Sequence, residues 1–123
     1  MLFGDYNPSG KLPVTFYKST SQLPAFDDYS MKGRTYRYFS NPLFAFGYGE
    51  SYTKFNIGKA KIEHEGDSVS VEIPVENVGS KEGTEILQVY IHDLQDENGP
   101  IKSLRGFCRV NLKAGQKQVA KIS

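Results

Sequence analysis

Residues 68–75, SVSVEIPV, carry a β-branched apolar side chain at every second position. This period of two is typical of a β-strand with one buried and one solvent-facing side. Pro74 is awkward in a central strand because proline cannot donate a hydrogen bond to a neighbour, and it suggests an edge or a bulge nearby. The residues expected on the buried side are Val69, Val71, Ile73 and Val75. The stretch therefore predicts a half-buried strand.

Further short apolar runs lie on both sides of this strand, separated by turns rich in glycine and asparagine. The predicted strands cover residues 55–63, 68–75, 85–93, 102–112 and 116–123. Their expected core anchors include Ile57, Ile62, Val119 and Ile122. Short strands at this spacing, with no helix of standard length, predict an all-β antiparallel β-sandwich. A sandwich of this kind needs about two strands more, so we expect it to be incomplete at its C-terminus.

The first 55 residues have a different character, with strong turn signals and little periodicity. Ten of the sixteen Phe and Tyr residues lie between Phe26 and Phe55. Residues 12–16, LPVTF, predict an edge strand because they contain a proline. Residues 41–55, NPLFAFGYGESYTKF, are compatible with a binding cleft, a packed hinge between domains or an ordinary core. We interpret this part of the chain as an extended aromatic-rich linker.

Composition limits the classes of partner. The chain has 123 residues, enough for one domain, and a net charge of +1 with its fifteen Lys and Arg residues scattered. No basic cluster is present, so we expect no nucleic acid partner and no membrane partner. The N-terminus lacks the pattern of a signal peptide. A single cysteine excludes an internal disulfide and a cysteine-built metal site.

The His, Asp and Cys residues considered for catalysis or metal binding do not form a recognisable catalytic set. His64 is expected in a solvated turn, and His92 with Asp93 at a strand end. Asp27 and Asp28 are adjacent, so their carboxylates point apart rather than facing each other across a glycosidic bond. Cys108 is interpreted as a small core residue. The sequence therefore predicts no catalytic residue, no cofactor and no metal in this chain.

One remaining group of residues combines arginine with tyrosine. In an extended conformation, residues 34–39, RTYRYF, would place Arg34, Tyr36 and Tyr38 on one face. Such residues favour protein interfaces and sugar recognition, and we favour packing against a neighbouring domain. The candidate interdomain or sugar-contacting residues are Arg34, Tyr36, Arg37, Tyr38, Phe44, Phe46, Tyr48 and Tyr52.

Several motifs in fixed order are similar to those of one family. They are GDYNPSGKLPVTF (4–16), GRTYRYF (33–39), FGYG (46–49), SYT (51–53), VENVG (75–79), GTEILQVY (83–90), LRGF (104–107) and LKAG (112–115). Together they resemble the C-terminal region of family 3 glycoside hydrolases, the β-glucosidase and β-xylosidase group. The later motifs resemble the immunoglobulin/fibronectin type III-like sandwich of these enzymes. The resemblance covers essentially the whole chain.

The resemblance implies three segments and a division of labour. Residues 1–17 would be the last strand of an α/β sandwich domain, 18–54 the linker or hinge, and 55–123 a truncated fibronectin type III-like sandwich. In the family, the nucleophile and the acid/base belong to a catalytic barrel and an α/β sandwich domain, which would be the partners of this chain. The parent would be a retaining β-glycosidase, of a type often periplasmic or secreted. Glu50 and Ala45 depart from the family pattern, in which Leu and Pro are usual.

The leading hypothesis is thus a non-catalytic accessory domain that braces such an enzyme. A carbohydrate-binding module is the first alternative, because tyrosine and phenylalanine rings stack on sugars. A protein-interaction module that self-associates through an open sheet edge is the second alternative.

Overall fold

The computed structural model describes residues 1–123, except for the side chain of Glu65. Its two helical segments are single turns, a 3₁₀ turn at Thr20–Gln22 and the turn α1 at Thr35–Tyr38. The strands are β1 (Phe55–Ile57), β2 (Lys61–Glu65), β3 (Ser68–Asn77), β4 (Gly83–Ile91), β5 (Ser103–Leu112) and β6 (Lys117–Ile122). The predicted all-β antiparallel fold class is confirmed.

Strand β3, the strand that alternates in sequence, lies at the centre of the larger sheet. It pairs antiparallel with β1 and β2 on one side and with β6 on the other, whereas β4 and β5 form a second sheet. Of the two expectations for Pro74, an edge position or a bulge nearby, the edge position is therefore wrong. The carbonyl of Pro74 accepts a hydrogen bond from Gly58, in the gap between β1 and β2. A central proline is tolerated because the neighbouring ladder is interrupted at this point.

The core of the sandwich is aliphatic. Its buried residues are Ile73, Val75, Leu87, Val110, Leu112, Ala120 and Ile122. Phe55, Val71, Val89 and Cys108 pack against this cluster and are partly buried. Both sheets contribute, which is how a sandwich removes one face of each sheet from water.

Four expected core residues are instead exposed, namely Ile57, Ile62, Val69 and Val119. Val119 lies opposite Pro74, on the face of the sheet opposite the one that Ala120 and Ile122 turn to the core. Strand alternation forbids Val119 and Ile122, three residues apart, from facing the same side. Ile62 and Val69 lie near the β2–β3 turn, where Gly66 has a φ of 62°. In β3 the buried residues of the core cluster begin at Ile73, and Val71 packs against them while partly exposed.

Asn77, at the end of β3, is fully buried and forms a hydrogen-bonding centre. Its Nδ2 donates to the carbonyls of Lys81 and Leu112, at 2.7 and 3.0 Å. Its Oδ1 accepts from the Thr53 hydroxyl at 2.7 Å and from the Gly79 N–H at 3.1 Å. All the hydrogen-bonding capacity of its side chain is used, so its burial leaves no polar group unpaired. Asn77 thereby joins the segment that precedes β1, the loop that follows β3 and the end of β5.

The chain divides into two compact units. We call the first the sandwich unit; it consists of Met1–Gly10, Glu50–Val89 and Gly106–Ser123. We call the second the aromatic unit; it consists of Lys11–Gly49 and Tyr90–Arg105. Across the described residues, no helix is long and apolar enough to cross a membrane.

The N-terminal segment is fastened to the rest of the sandwich unit by Asn7. Its Nδ2 donates to the Glu82 carbonyl at 3.0 Å. Its Oδ1 accepts from the Ser51 hydroxyl at 2.9 Å and from the Tyr52 N–H at 2.8 Å. One amide side chain thus joins three stretches that are far apart in sequence.

Candidate functional site

The aromatic unit contains seven of the eight candidate residues, and backbone hydrogen bonds join two of its stretches, residues 12–16 and 43–48. The N–H of Leu12 donates to the Tyr48 carbonyl at 2.8 Å, and that of Phe16 to the Phe44 carbonyl at 2.9 Å. The strand expected at residues 12–16 is not formed, because Pro13 and Val14 lie in a bend and within this stretch only Phe16 forms a β-bridge, with Phe44. Gly47, with a φ of 82°, supplies the turn within the second stretch.

The arginine- and tyrosine-rich stretch is not extended, and the predicted alternation of its side chains is wrong. Residues Thr35–Tyr38 form the turn α1, closed by a hydrogen bond from the Phe39 N–H to the Thr35 carbonyl at 3.0 Å. Thr35 has a φ of 55°, a left-handed conformation that is unusual for a β-branched residue. The backbone therefore reverses at Thr35 instead of continuing from Arg34 as a strand.

This turn brings Tyr36 onto Phe46. The two rings stack with centroids 4.2 Å apart and an interplanar angle of 18°, and Tyr90 meets both rings edge-on. The ammonium of Lys102 lies 4.6 Å from the centroid of Tyr90, within the range of a cation–π interaction. One face of Tyr36 and one of Phe46 are therefore occupied by each other.

The two tyrosines of this cluster have pKa values shifted in opposite directions. The N–H of Leu104 donates to the Tyr36 hydroxyl at 3.1 Å. This hydrogen bond, with smaller contributions from Arg37 and Arg105, lowers the pKa of Tyr36 below its ordinary value, against an opposing effect of burial. Burial raises the pKa of Tyr90, and the neighbouring phenol of Tyr36 adds to the effect. The environment of each hydroxyl is therefore set within the cluster.

Phe44 and Tyr48 form a second, more open aromatic group. Their centroids lie 5.2 Å apart at an angle of 37°, and Phe44 also meets Phe16 edge-on at 6.4 Å. Phe44 and Tyr48 are both exposed. Because the rings are tilted, they do not form one continuous flat surface.

Arg34 uses its guanidinium to hold the preceding loop. It donates to the backbone carbonyls of Asp28 at 2.6 Å, Ser30 at 3.2 Å and Ala25 at 3.3 Å. The carboxylate of Asp28 accepts from the Ser30 N–H at 2.8 Å. Hydrogen bonds from Ser30 and, to a smaller degree, the charge of Arg34 lower the pKa of Asp28.

A largely apolar cavity of about 600 Å³ lies within the aromatic unit. Four of the candidate residues line it, namely Arg34, Tyr36, Arg37 and Phe46, together with aliphatic residues that include Val14, Leu23 and Met31. Tyr38 is partly buried on α1. Tyr52 belongs to the sandwich unit instead, where its hydroxyl donates to the Met1 carbonyl at 3.3 Å. The structure thus brings four candidates together around one cavity.

The sequence reasoning did not single out Phe26, Tyr29 or Tyr90. Phe26 and Tyr29 lie on the loop that Arg34 holds, and Tyr90 completes the stacked cluster. A usable signal was present for the loop, because two aromatic residues flank the consecutive acids Asp27 and Asp28 after a proline. The loop has neither the hydrophobic period of a strand nor that of a helix, so these patterns do not indicate it.

The other residues considered for chemistry lie apart from this site. His64 is in β2 opposite Val69, which corrects its expected position in a turn. His92 follows β4, and its Nδ1 lies 3.3 Å from the Pro100 carbonyl. Burial raises the pKa of the Cys108 thiol. Among the described residues, no group of three His, Cys, Asp or Glu side chains is arranged to hold a metal ion.

Two family models match the chain. Residues 85–123 match the Fibronectin type III-like domain, which together with the antiparallel sheets defines the class of the sandwich. Residues 1–52 match the Glycosyl hydrolase family 3 C-terminal domain. Together these matches confirm the resemblance of the motifs to the C-terminal region of family 3 glycoside hydrolases.

Curated relatives agree with this resemblance. The chain is 59% identical over 124 residues to a xylan 1,4-β-xylosidase of Xylanibacter ruminicola, a match that covers 99% of the chain and 14% of the relative. It is 36% identical to a periplasmic β-glucosidase of Salmonella typhimurium, covering 96% of the chain and 18% of the relative. The chain therefore spans less than one fifth of the length of these relatives.

Solved structures of β-glucosidases are also similar. A β-glucosidase from Erythrobacter marinus matches with a TM-score of 0.79 and 42% identity, over 98% of the chain and 17% of that protein. β-Glucosidase 3B from Thermotoga neapolitana matches with a TM-score of 0.87 and 31% identity, over 99% of the chain and 20% of that protein.

Proposed function

We propose that the chain is a non-catalytic accessory region that braces the catalytic domains of a β-glucosidase-like glycoside hydrolase. The parent would be a retaining enzyme that hydrolyses β-linked glycosides. Similarity to β-xylosidases and β-glucosidases supports the class of parent. The boundaries 1–17, 18–54 and 55–123 remain part of this proposal.

The observation that carries the proposal is the apolar surface of the aromatic unit. Its exposed apolar residues include Val14, Phe16, Leu23, Phe26, Tyr29, Met31, Leu43, Phe44, Tyr48, Leu94 and Ile101. The sandwich unit also exposes apolar side chains, but all the buried apolar side chains among the described residues belong to it and none belongs to the aromatic unit. Apolar side chains that a compact unit leaves without a buried core of its own mark an interaction surface. The rest of a larger enzyme is the natural candidate to cover it.

Replacing the matching region of the Xylanibacter xylosidase by this chain tests the bracing role. We expect this chimera to keep the Tm and the activity of the xylosidase, and an enzyme with the region deleted to lose both. The 59% identity over 99% of the chain makes the replacement reasonable. A chimera no more stable than the deletion variant would contradict the proposal.

A separate assay addresses the absence of catalysis. We expect the purified chain to show no turnover of chromogenic β-glucosides or β-xylosides, because the nucleophile and the acid/base would lie in the parent domains. Clear turnover that persists through purification would overturn the assignment.

The exposed rings of Phe44 and Tyr48 favour carbohydrate binding as a second candidate function. Tyr36 and Phe46 suit it less well, since they stack on each other. The chain contains no Trp, so tyrosine fluorescence reports on its rings directly. A saturable change on adding xylo- or cello-oligosaccharides, lost in Tyr48→Ala, would favour this alternative. Self-association through a sheet edge would appear as concentration-dependent sedimentation of the purified chain.

A further inference from the structure

The loop of residues 24–31, PAFDDYSM, presents two nearly bare aromatic side chains. We call it the aromatic loop. Phe26 is 98% exposed and Tyr29 is 91% exposed, so neither ring contributes appreciable packing within the chain. A shallow cavity of about 450 Å³ lies among its residues and is bordered by both rings. The folding of the chain alone gives no reason for large rings at these positions.

The backbone of the aromatic loop is nevertheless held in one shape. Arg34 donates to three of its carbonyls, those of Ala25, Asp28 and Ser30. The loop also closes on itself, because the Asp28 N–H donates to the Ala25 carbonyl at 3.1 Å. A planar guanidinium with several donors is suited to this task, since it binds several acceptors at once.

Fixing the loop before binding reduces the conformational entropy that an interaction would otherwise lose. Exposed Phe and Tyr side chains on a fixed backbone have the properties of interface anchors, which are enriched in aromatic residues. Phe26 and Tyr29 therefore differ from the exposed rings of the Phe44–Tyr48 group, which contact other rings of the chain.

The likeness to family 3 enzymes identifies what would cover these rings. The aromatic loop lies inside residues 1–52, the part that matches the Glycosyl hydrolase family 3 C-terminal domain. Relatives contain more than four fifths of their length outside the matched region, which provides a large protein surface on the same polypeptide. Asp27 and Asp28, which lie between the two aromatic residues in sequence, are both exposed. A surface that covers the rings is therefore expected to place basic or hydroxyl groups opposite these carboxylates.

We infer that the aromatic loop is the docking element of this region, with Phe26 and Tyr29 entering an apolar recess on the catalytic part of the parent enzyme. The rim of the recess carries basic or hydroxyl groups that face Asp27 and Asp28. Arg34 acts as a positioning residue that keeps both rings presented. This inference rests on the proposed bracing function and names the contact through which it works.

The test introduces Phe26→Ala and Tyr29→Ala, singly and together, into both the isolated chain and the xylosidase chimera. In the isolated chain we expect an unchanged Tm, because the rings are almost fully exposed. In the chimera we expect the double variant to lower the Tm by at least about 2 °C, because docking contacts are lost. Phe107→Ala serves as the matched control, since Phe107 is an exposed phenylalanine of the sandwich unit; it should leave both proteins unchanged.

The outcomes distinguish a failure of the proposed bracing function from a failure of the docking inference. A wild-type chimera without activity would overturn the proposed function itself. An active, stable chimera whose Tm is indifferent to both ring deletions, or equally sensitive to Phe107→Ala, would overturn the docking inference alone. A raised KM for xylo-oligosaccharides at unchanged Tm would assign the rings to sugar contact instead, and would also overturn it.

Discussion

In the sandwich unit, aliphatic side chains from both sheets point inward and the most buried polar side chain, Asn77, satisfies its hydrogen bonds inside the protein. In the aromatic unit, rings cluster in small groups, and the guanidinium of Arg34 shapes a loop whose aromatic side chains remain exposed. Both units are well hydrogen-bonded, but among the described residues only the first contains a cluster of buried apolar side chains. The sandwich unit is thus organised around a core of its own, whereas the apolar side chains of the aromatic unit all remain at least partly exposed.

The sharpest test of this comparison is a pair of identical truncations. Leu112 is 0% exposed in the sandwich core, whereas Leu94 is 87% exposed in the aromatic unit. We expect Leu112→Ala to lower the free energy of unfolding by about 2–5 kcal/mol, because it removes buried methyl groups and leaves a cavity. Leu94→Ala should change it by about 0.5 kcal/mol or less. Urea unfolding followed by circular dichroism measures both changes. Equal losses of stability would contradict the conclusion that only the sandwich unit depends on a buried apolar core.

A second pair of variants compares asparagines. Asn77→Ala should lower the free energy of unfolding by about 2–4 kcal/mol, because the Leu112 carbonyl loses its donor in a buried position and the Lys81 carbonyl loses a partly buried hydrogen bond. Asn41→Ala is the control: it removes an exposed hydrogen bond to the ammonium of Lys18, and we expect a change of about 0.5 kcal/mol or less. Thermal unfolding measures both losses of stability. A loss in Asn77→Ala no larger than that in Asn41→Ala would contradict the role of Asn77 as a buried hydrogen-bonding centre.

Arg34→Lys probes local shape and should have a smaller effect on global stability. A lysine keeps the charge but does not reproduce the planar set of donors that holds three loop carbonyls. We expect faster amide hydrogen exchange in residues 25–31 and a loss of global stability of about 1 kcal/mol or less. Arg109→Lys, at an exposed position of β5, is the matched control. Unchanged exchange in the loop would show that Arg34 does not hold it.

The smallest effect concerns the ionisation of two neighbouring phenols. From an ordinary value of 10.0, the pKa of Tyr36 is lowered and that of Tyr90 is raised. In an absorbance titration, Tyr36→Phe should therefore remove an early ionising group and Tyr90→Phe a late one. The reverse order would contradict the assigned environments.

The signs for stability follow from the same shifts. Because Tyr36 has a lowered pKa in the folded chain, its contribution to stability grows as the pH rises through its folded pKa and is complete above the unfolded value. Tyr90 behaves in the opposite way. Its contribution is complete below the unfolded pKa and is lost as the pH rises through its raised folded pKa.

The sequence is most informative where a regular period meets a buried face. The alternation in residues 68–75 correctly indicates a strand with Ile73 and Val75 inside. It does not reveal where along the strand the second sheet ceases to cover it, so Val69 was wrongly expected in the core. The burial of Asn77 was not predicted, for a related reason. The tetrapeptide NVGS has the composition of an exposed turn, and only tertiary contacts make its first residue a buried hydrogen-bonding centre.

In the aromatic unit, local propensity favours the wrong conformation. Thr35, Tyr36 and Tyr38 are residue types common in strands, yet they form the helical turn α1. The turn depends on the positive φ of Thr35, which no propensity would assign to a β-branched residue. The arrangement of four candidate residues around one cavity therefore depends on backbone geometry that the sequence does not display, and their role stays a prediction.

The hydrogen bonds of Asn77 also bear on how fast the chain folds and unfolds. Two of them join Asn77 to residues 24 and 35 positions away in sequence, so they form only after long loops have closed. Contacts of this kind are costly to make early and are expected to be largely absent from the folding transition state. Loss of the Asn77 side chain should therefore accelerate unfolding more than it slows folding. Stopped-flow folding and unfolding rates across a range of urea concentrations would show whether the hydrogen bonds of this amide form after the transition state for folding.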